Sequence, residues 1–93
     1  MLTAVGGYLA FDDNDSLNHV DGLSSLASVG GDLYIRENNA LTNLDGLSNL
    51  TSVAVNLWIT NNDVLCQDSV DAFIAACTIG GTVNTYNNNG TCP

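Results

Sequence analysis

The phrase "LASVGGDLYIRENNALTNLDGLSN" (26–49) recurs in edited form on both sides of itself. Residues 2–25 read "LTAVGGYLAFDDNDSLNHVDGLSS" and residues 50–73 read "LTSVAVNLWITNNDVLCQDSVDAF". The offset is 24 residues each time, so Val5, Val29 and Val53 share a column, as do Leu9, Leu33 and Leu57. A shifted fourth match, "IGGTVNTYNNNG" (79–90), follows "VGGDLYIRENNA" (29–40) at an offset of 50, which makes the last step 26. A fixed period of this length marks a stacked-repeat architecture. One unit cannot bury its own apolar face and does so only against the next. The pattern predicts a single repeat domain over 1–93, a β-solenoid of about four coils. Its repeats are 2–25, 26–49 and 50–73, with a C-terminal cap over 66–93.

Within each unit one stretch alternates in the manner of a strand: "YLAFD", "DLYIR", "NLWIT" and "TVNTY". These place strands of a parallel sheet near 8–12, 32–36, 56–60 and 82–86. Leu9 and Phe11, Leu33 and Ile35, Leu57 and Ile59, then Val83 and Thr85 face inward, and their neighbours face out. The Gly6-Gly7, Gly30-Gly31 and Gly80-Gly81 pairs precede three of the strands and suit a corner with positive φ. The third unit has Ala54-Val55 there, so its corner either differs or does without positive φ. Asn14, Asn38, Asn62 and Asn88 form a column after the strands, where a stacked amide can satisfy backbone groups at a buried turn. Leu17, Leu41 and Leu65 point inward next, then Val20 and Leu44. "DGL" (21–23 and 45–47) marks a turn, after which Leu26 and Leu50 return to the core.

The third unit departs from the phrase after Leu65. In "QDSVDAFIAAC", Val70, Phe73, Ile74 and Cys77 fall on one face of a helix. This predicts a short capping helix over 69–77 with Asp68 or Ser69 as N-cap. Cys66 and Cys92 are 26 residues apart, the same step that relates the third strand to the fourth. Equivalent positions on adjacent coils lie within disulfide reach, so Cys66–Cys92 is the expected pair. The rival is Cys66–Cys77, clipping the helix to its own start. In the first arrangement Cys77 is a free, buried thiol in the column of Val29 and Val53. A disulfide implies an oxidising compartment, extracellular, cell-surface or periplasmic. The opening "MLTAVGGY" has neither a basic region nor an unbroken apolar run, so an export signal would lie outside this sequence.

The segment "LYIRENNALTNL" (33–44) fits the leucine-rich-repeat phrase L-x-I-x-x-N-x-x-L. The whole unit resembles the receptor L-domain class of leucine-rich repeats found in bacterial secreted and surface proteins. That resemblance covers nearly the whole chain. It implies a right-handed stack of parallel sheets, a cysteine-closed C-terminal cap and a role as a binding and display scaffold, with the ligand left open.

Charge narrows the partners. Ten acidic residues stand against one basic residue, Arg36, for a net charge of −9. Such a surface repels nucleic acid and anionic lipid and has no basic patch for phosphates. No apolar run is long enough to span a membrane. No nucleophile motif or phosphate-cradling loop is present, so the reading is non-enzymatic and without cofactor. The lone His19 sits in a variable polar column with Asn43 and Gln67. Asp12, Asp13 and Asp15, with Asp63 two repeats later, are weak calcium candidates: they offer hard oxygens at a turn but lack a calcium-loop glycine and distal glutamate. Sequons begin at Asn14, Asn49 and Asn89.

Outward strand positions form rows. Tyr8, Asp32, Asn56 and Thr82 make one; Ala10, Tyr34, Trp58 and Asn84 the next; Asp12, Arg36, Thr60 and Tyr86 the third. Tyr8, Tyr34, Arg36, Trp58, Thr60 and Tyr86 therefore mark a binding face for a protein or glycan, since Trp, Tyr and Arg dominate interfaces. Cross-strand stacking for stability alone is the competing account. A second expectation is self-association. Leu2, Val5, Leu9, Phe11 and Leu17 have no preceding coil to cover them in this sequence; either it is a piece of a longer stack, or the unpaired strand edge templates another chain, giving a dimer or a filament.

Overall fold

A computed structural model describes residues 3–14 and 16–90. The strands and helix run in the order β1 Ala4–Val5, β2 Leu9–Asp12, β3 Ser28–Val29, β4 Leu33–Arg36, β5 Ser52–Val53, β6 Leu57–Thr60, α1 Gln67–Ala76, β7 Thr78–Ile79 and β8 Val83–Tyr86. They form two parallel four-stranded sheets, β1-β3-β5-β7 and β2-β4-β6-β8. The arrangement is a small, repeat-like parallel β structure with a single helix among the described residues. Register follows the repeat: Leu9 pairs with Leu33, Leu33 with Leu57, and Leu57 with Val83. The sheet of two-residue strands was not expected, because two residues are too few to show alternation.

Alternation in the longer strands sends Leu33, Ile35, Leu57 and Ile59 into the core, each fully buried. Leu41, Leu65, Leu26 and Leu50 join them from the turns, with Val29 and Val53 from the short strands. In the first repeat the matching Val5, Leu9, Phe11 and Leu17 are only partly buried. Val83 departs from its expected inward burial and is 44% exposed, because no further strand among the described residues pairs beyond β8. Each "DGL" forms a 3₁₀ turn, Asp21–Leu23 and Asp45–Leu47.

The glycine pairs do not supply positive φ. Among the described residues the left-handed positions are Asp13, Glu37, Asn61 and Asn87, with φ between 55° and 57°. They stand one residue before the asparagine column, after the strand rather than before it. Gly30-Gly31 and Gly80-Gly81 serve close approach instead, while a Cβ on Gly6 or Gly7 would meet nothing within 4 Å. A Cβ on Gly30 would lie 2.6 Å from the Gly6 carbonyl oxygen, inside contact distance with backbone that cannot yield.

The asparagine column is a hydrogen-bonded ladder. Asn38, Asn62 and Asn88 are buried, and their Nδ2 atoms donate to the carbonyls of Phe11, Ile35 and Ile59 at 2.7, 2.9 and 2.8 Å. Asn62 Oδ1 accepts from the Asn38 N–H at 3.0 Å, and Asn62 Nδ2 also donates to Asn88 Oδ1 at 2.9 Å. Asn14 is exposed and donates to Asn38 Oδ1 at 3.2 Å. Asn38, Asn62 and Asn88 thus supply backbone partners that a buried turn would otherwise lack.

The helix starts two residues earlier than expected, with Cys66 as N-cap and no side-chain capping bond. Neither Asp68 nor Ser69 caps it. The Ser69 Oγ instead accepts from the Leu44 N–H at 3.1 Å, tying the helix to the second repeat. Val70 and Phe73 are buried against the core, and Ile74 and Cys77 are half-buried. Cys66 accepts the second repeat's register through its N–H bond to the Thr42 carbonyl, and Thr78 pairs with Ser52. The third repeat's 66–78 is therefore two residues longer than 42–52, and the helix takes up the excess.

That insertion corrects the placement of Cys77. Ile79, not Cys77, pairs with Val53, and Cys77 is a half-buried free thiol at the helix C-cap rather than a buried one. Burial pushes the Cys77 thiol up from its ordinary value. Cys66 is disulfide-bonded. The rival partner Cys77 flanks the far end of the helix, on the order of 15 Å away at 1.5 Å per residue, well beyond the reach of a disulfide. Cys66 bridges Gly90, an offset of 24, so the 26-residue step does not extend to this position. Cys92 lies outside the described residues.

Candidate interaction face

The four-residue strands hold their outward side chains in rows, because parallel in-register pairing puts equivalent positions side by side. Tyr34 and Trp58 are paired in register and stack with centroids 4.9 Å apart and planes 12° from parallel. Tyr8 meets Tyr34 edge-on at 6.3 Å. The guanidinium of Arg36 covers the Tyr34 ring at 4.6 Å. It also forks onto Asp12, from Nε to Oδ1 at 3.0 Å and from Nη2 to Oδ2 at 2.7 Å. The Tyr34 hydroxyl donates to Asp32 Oδ2 at 2.8 Å, and Asp32 Oδ1 accepts from the Asn56 N–H at 2.9 Å.

These contacts set the face's electrostatics. The hydrogen bond from Arg36 holds the Asp12 carboxyl below its usual range. The same pairing raises Arg36, and the bond to Asp32 raises the Tyr34 phenol. Arg36 is thereby committed to Asp12 and Tyr34, and its charge is spent within the face. The face stays open to solvent as an aromatic strip beside one ion pair: Tyr8 is 69% exposed, Tyr34 and Trp58 are half-buried, and the Arg36 and Asp12 side chains are 41% and 33% exposed.

Two expected members differ. Thr60 is buried, 2% exposed, because its row neighbours Arg36 and Tyr86 are both much longer side chains. It is not available to a ligand. Tyr86 is exposed but has no ring contact with the Tyr8–Tyr34–Trp58 strip. The face is narrower than the expected set and centred on β2, β4 and β6.

Among the described residues the calcium candidates form no metal-holding group. Asp12 is held by Arg36, and Asp15 lies outside the described residues. Asp13 approaches Glu37, whose carboxyl is raised first by the hydrogen bond to Asp13 and then by its charge. No group of three or more His, Cys, Asp or Glu is placed to hold a metal among the described residues. His19 is exposed; its Nδ1 accepts from the Asp21 N–H at 3.4 Å. No helix among the described residues is long and apolar enough to cross a membrane.

A concavity away from this face was not anticipated. A groove of about 600 Å³ runs between α1 and residues 42–50. Its one signal in the sequence is the third repeat's exchange of "DGL" for a helical pattern, which announces a bulkier element but not the gap beside it.

No family model, curated protein or solved structure matches the chain.

Proposed function

We propose that the chain is a right-handed, leucine-rich-repeat-like β-solenoid of about four coils that acts as a non-enzymatic binding scaffold of the receptor L-domain kind. It works outside the cell or at its surface, and the disulfide at Cys66 supports an oxidising setting. Its partner is a protein or glycan that docks on the outer face of β2, β4 and β6. The observation that carries this reading is the half-open Tyr8–Tyr34–Trp58 strip on an otherwise acidic shell.

The lone Trp58 reports on the face directly. Immobilised glycans and candidate surface proteins are screened, and binders are titrated against Trp58 emission. Tyr8→Ser, which removes a ring that is mostly exposed, should weaken binding about tenfold or more while leaving the melting temperature nearly unchanged. Retention on the immobilised partner, which needs no tryptophan signal, reads both variants, and binding that survives both Tyr8→Ser and Trp58→Ser would place the site elsewhere.

Self-association through the first repeat is the alternative. The partial burial of Leu9, Phe11 and Leu17, against complete burial of Leu33, Ile35 and Leu41, favours it. Sedimentation velocity across a hundredfold concentration range tests it; a constant monomer would remove it.

A further inference from the structure

In the first two repeats the 3₁₀ turns lie in close contact. A Cβ on Gly46 would fall on the backbone of Val20 and Asp21. A helix is about 10–12 Å across with its side chains, against a strand spacing of about 4.8 Å, so α1 cannot approach Asp45–Leu47 as closely. The groove of about 600 Å³ is the space this leaves. Leu44, Leu47, Leu50 and Phe73 lie beneath it and are at most 8% exposed, so its open apolar lining is Val64, Ala72 and Ala76, the two alanines leaving its helical wall low.

The opening is braced at both ends. Near the helix start, the Cys66 N–H bonds the Thr42 carbonyl at 3.3 Å and the Leu44 N–H bonds Ser69 Oγ at 3.1 Å. Past the helix end, the Thr78 N–H bonds the Thr51 carbonyl at 2.8 Å. The walls therefore cannot collapse together without breaking backbone hydrogen bonds. The volume lies within the range of small-molecule sites, about 300–1,000 Å³.

The charge at the rim has one sign. Asp45 and Asp68 line the groove and are exposed, and no cation lines it. The sole arginine is bound to Asp12 on the outer face, and the whole chain carries −9. We propose that this groove binds a small amphiphilic amine, with its apolar body along Val64, Ala72 and Ala76 and its ammonium group toward Asp45 and Asp68. A fatty acid of the same length is disfavoured by the same charges. The site shares no residue with the outer face, so either can fail without the other.

The test uses three probes of one chain length below their aggregation limits: octylammonium, 1-octanol and octanoate. Binding is read from backbone amide shifts in two-dimensional NMR. Octylammonium should shift the amides of Leu44, Ala72 and Ala76 and bind roughly fivefold or more tighter than octanol. Octanoate should not bind. The double variant Asp45→Asn/Asp68→Asn should bring the amine down to the affinity of octanol without altering octanol itself. Asp13→Asn, which removes one exposed charge that is not part of the groove lining, should leave both unchanged. Ala72→Phe, at an exposed position, should fill the groove and abolish binding of both, with folding checked in the same spectrum. The proposal is overturned if amine shifts scatter over the acidic surface, if octanoate binds as well as the amine, or if the preference persists in the double asparagine variant.

Discussion

At the scale of single residues, the buried asparagines differ in what their loss exposes. Asn62 is fully buried and serves the Ile35 carbonyl, the Asn38 N–H and Asn88 Oδ1 at once. Truncation leaves those groups without partners, and an unsatisfied buried polar group costs about 1–3 kcal/mol. Asn62→Ala should therefore cost about 3 kcal/mol or more in urea unfolding, whereas Asn14→Ala, at the exposed end of the ladder, should cost less than about 1 kcal/mol. Equal losses would mean the ladder is not a source of stability. Glu37 makes a separate case. It holds φ 56°, which suits asparagine or glycine better, and it sits beside Asp13. Glu37→Asn should stabilise at neutral pH, with a backbone share of about 0.5–1 kcal/mol, and Glu37→Gln should isolate the charge share. The Glu37 carboxyl is raised in the folded chain, so the native state binds its proton more tightly than the unfolded state does. Stability from this group is gained as pH falls through its raised value and lost as pH rises. The advantage of Glu37→Gln should vanish on acidification below the carboxylate range, while the backbone part of Glu37→Asn persists.

At the scale of elements, equivalent positions are not equivalent in consequence. Gly22 and Gly46 occupy the same place in the two "DGL" turns. A Cβ on Gly22 meets nothing within 4 Å, while one on Gly46 meets the backbone of the turn before it. Gly22→Ala should be neutral or stabilise by about 0.5 kcal/mol through the unfolded chain. Gly46→Ala should destabilise by about 2 kcal/mol or more, since overpacking against backbone has no cheap relief. Thermal melts of the two variants side by side decide it, and matching midpoints would contradict the close stacking of these turns. The same contrast shows what the sequence could and could not convey. The 24-residue step places Leu33 beside Leu9 and Asn62 beside Asn38, because residues recurring at one interval must meet when parallel strands pair in register. It does not say which glycine is crowded, since that depends on whether another turn precedes it. It did not reveal β1, β3, β5 or β7, where two residues leave no period to read. Nor did it foretell the burial of Thr60, which comes from the length of Arg36 and Tyr86 beside it, or the groove, which comes from the width of a helix set against a tight turn.

At the scale of the whole molecule, repetition and charge oppose one another. A strict 24-residue copy would stack each carboxylate on its own image at about the strand spacing of 4.8 Å. The outer rows avoid this by alternation: Asp12 meets Arg36, and Asp32 stands between Tyr8 and Asn56. Two like-charged columns remain, Asp13 beside Glu37 and Asp21 with Asp45 at the starts of the stacked 3₁₀ turns. With one cation in the chain, repulsion outweighs attraction. Added salt should screen this repulsion, and the melting temperature should rise by a few degrees between about 10 mM and 0.5 M KCl, over which the Debye length falls from about 30 Å to a few ångströms. The Asp12–Arg36 pair works in the opposite direction but is one half-exposed contact, worth about 1 kcal/mol at most. Asp21→Asn separates the sources of the effect. If the stacked columns dominate, that variant should begin with a higher melting temperature at low salt and respond less to KCl. If net charge alone dominates, removing one of ten carboxylates should leave the slope almost unchanged. A melting temperature that falls with salt would mean that the forked Arg36 contact, and not repulsion between the repeats, governs the electrostatics of this fold.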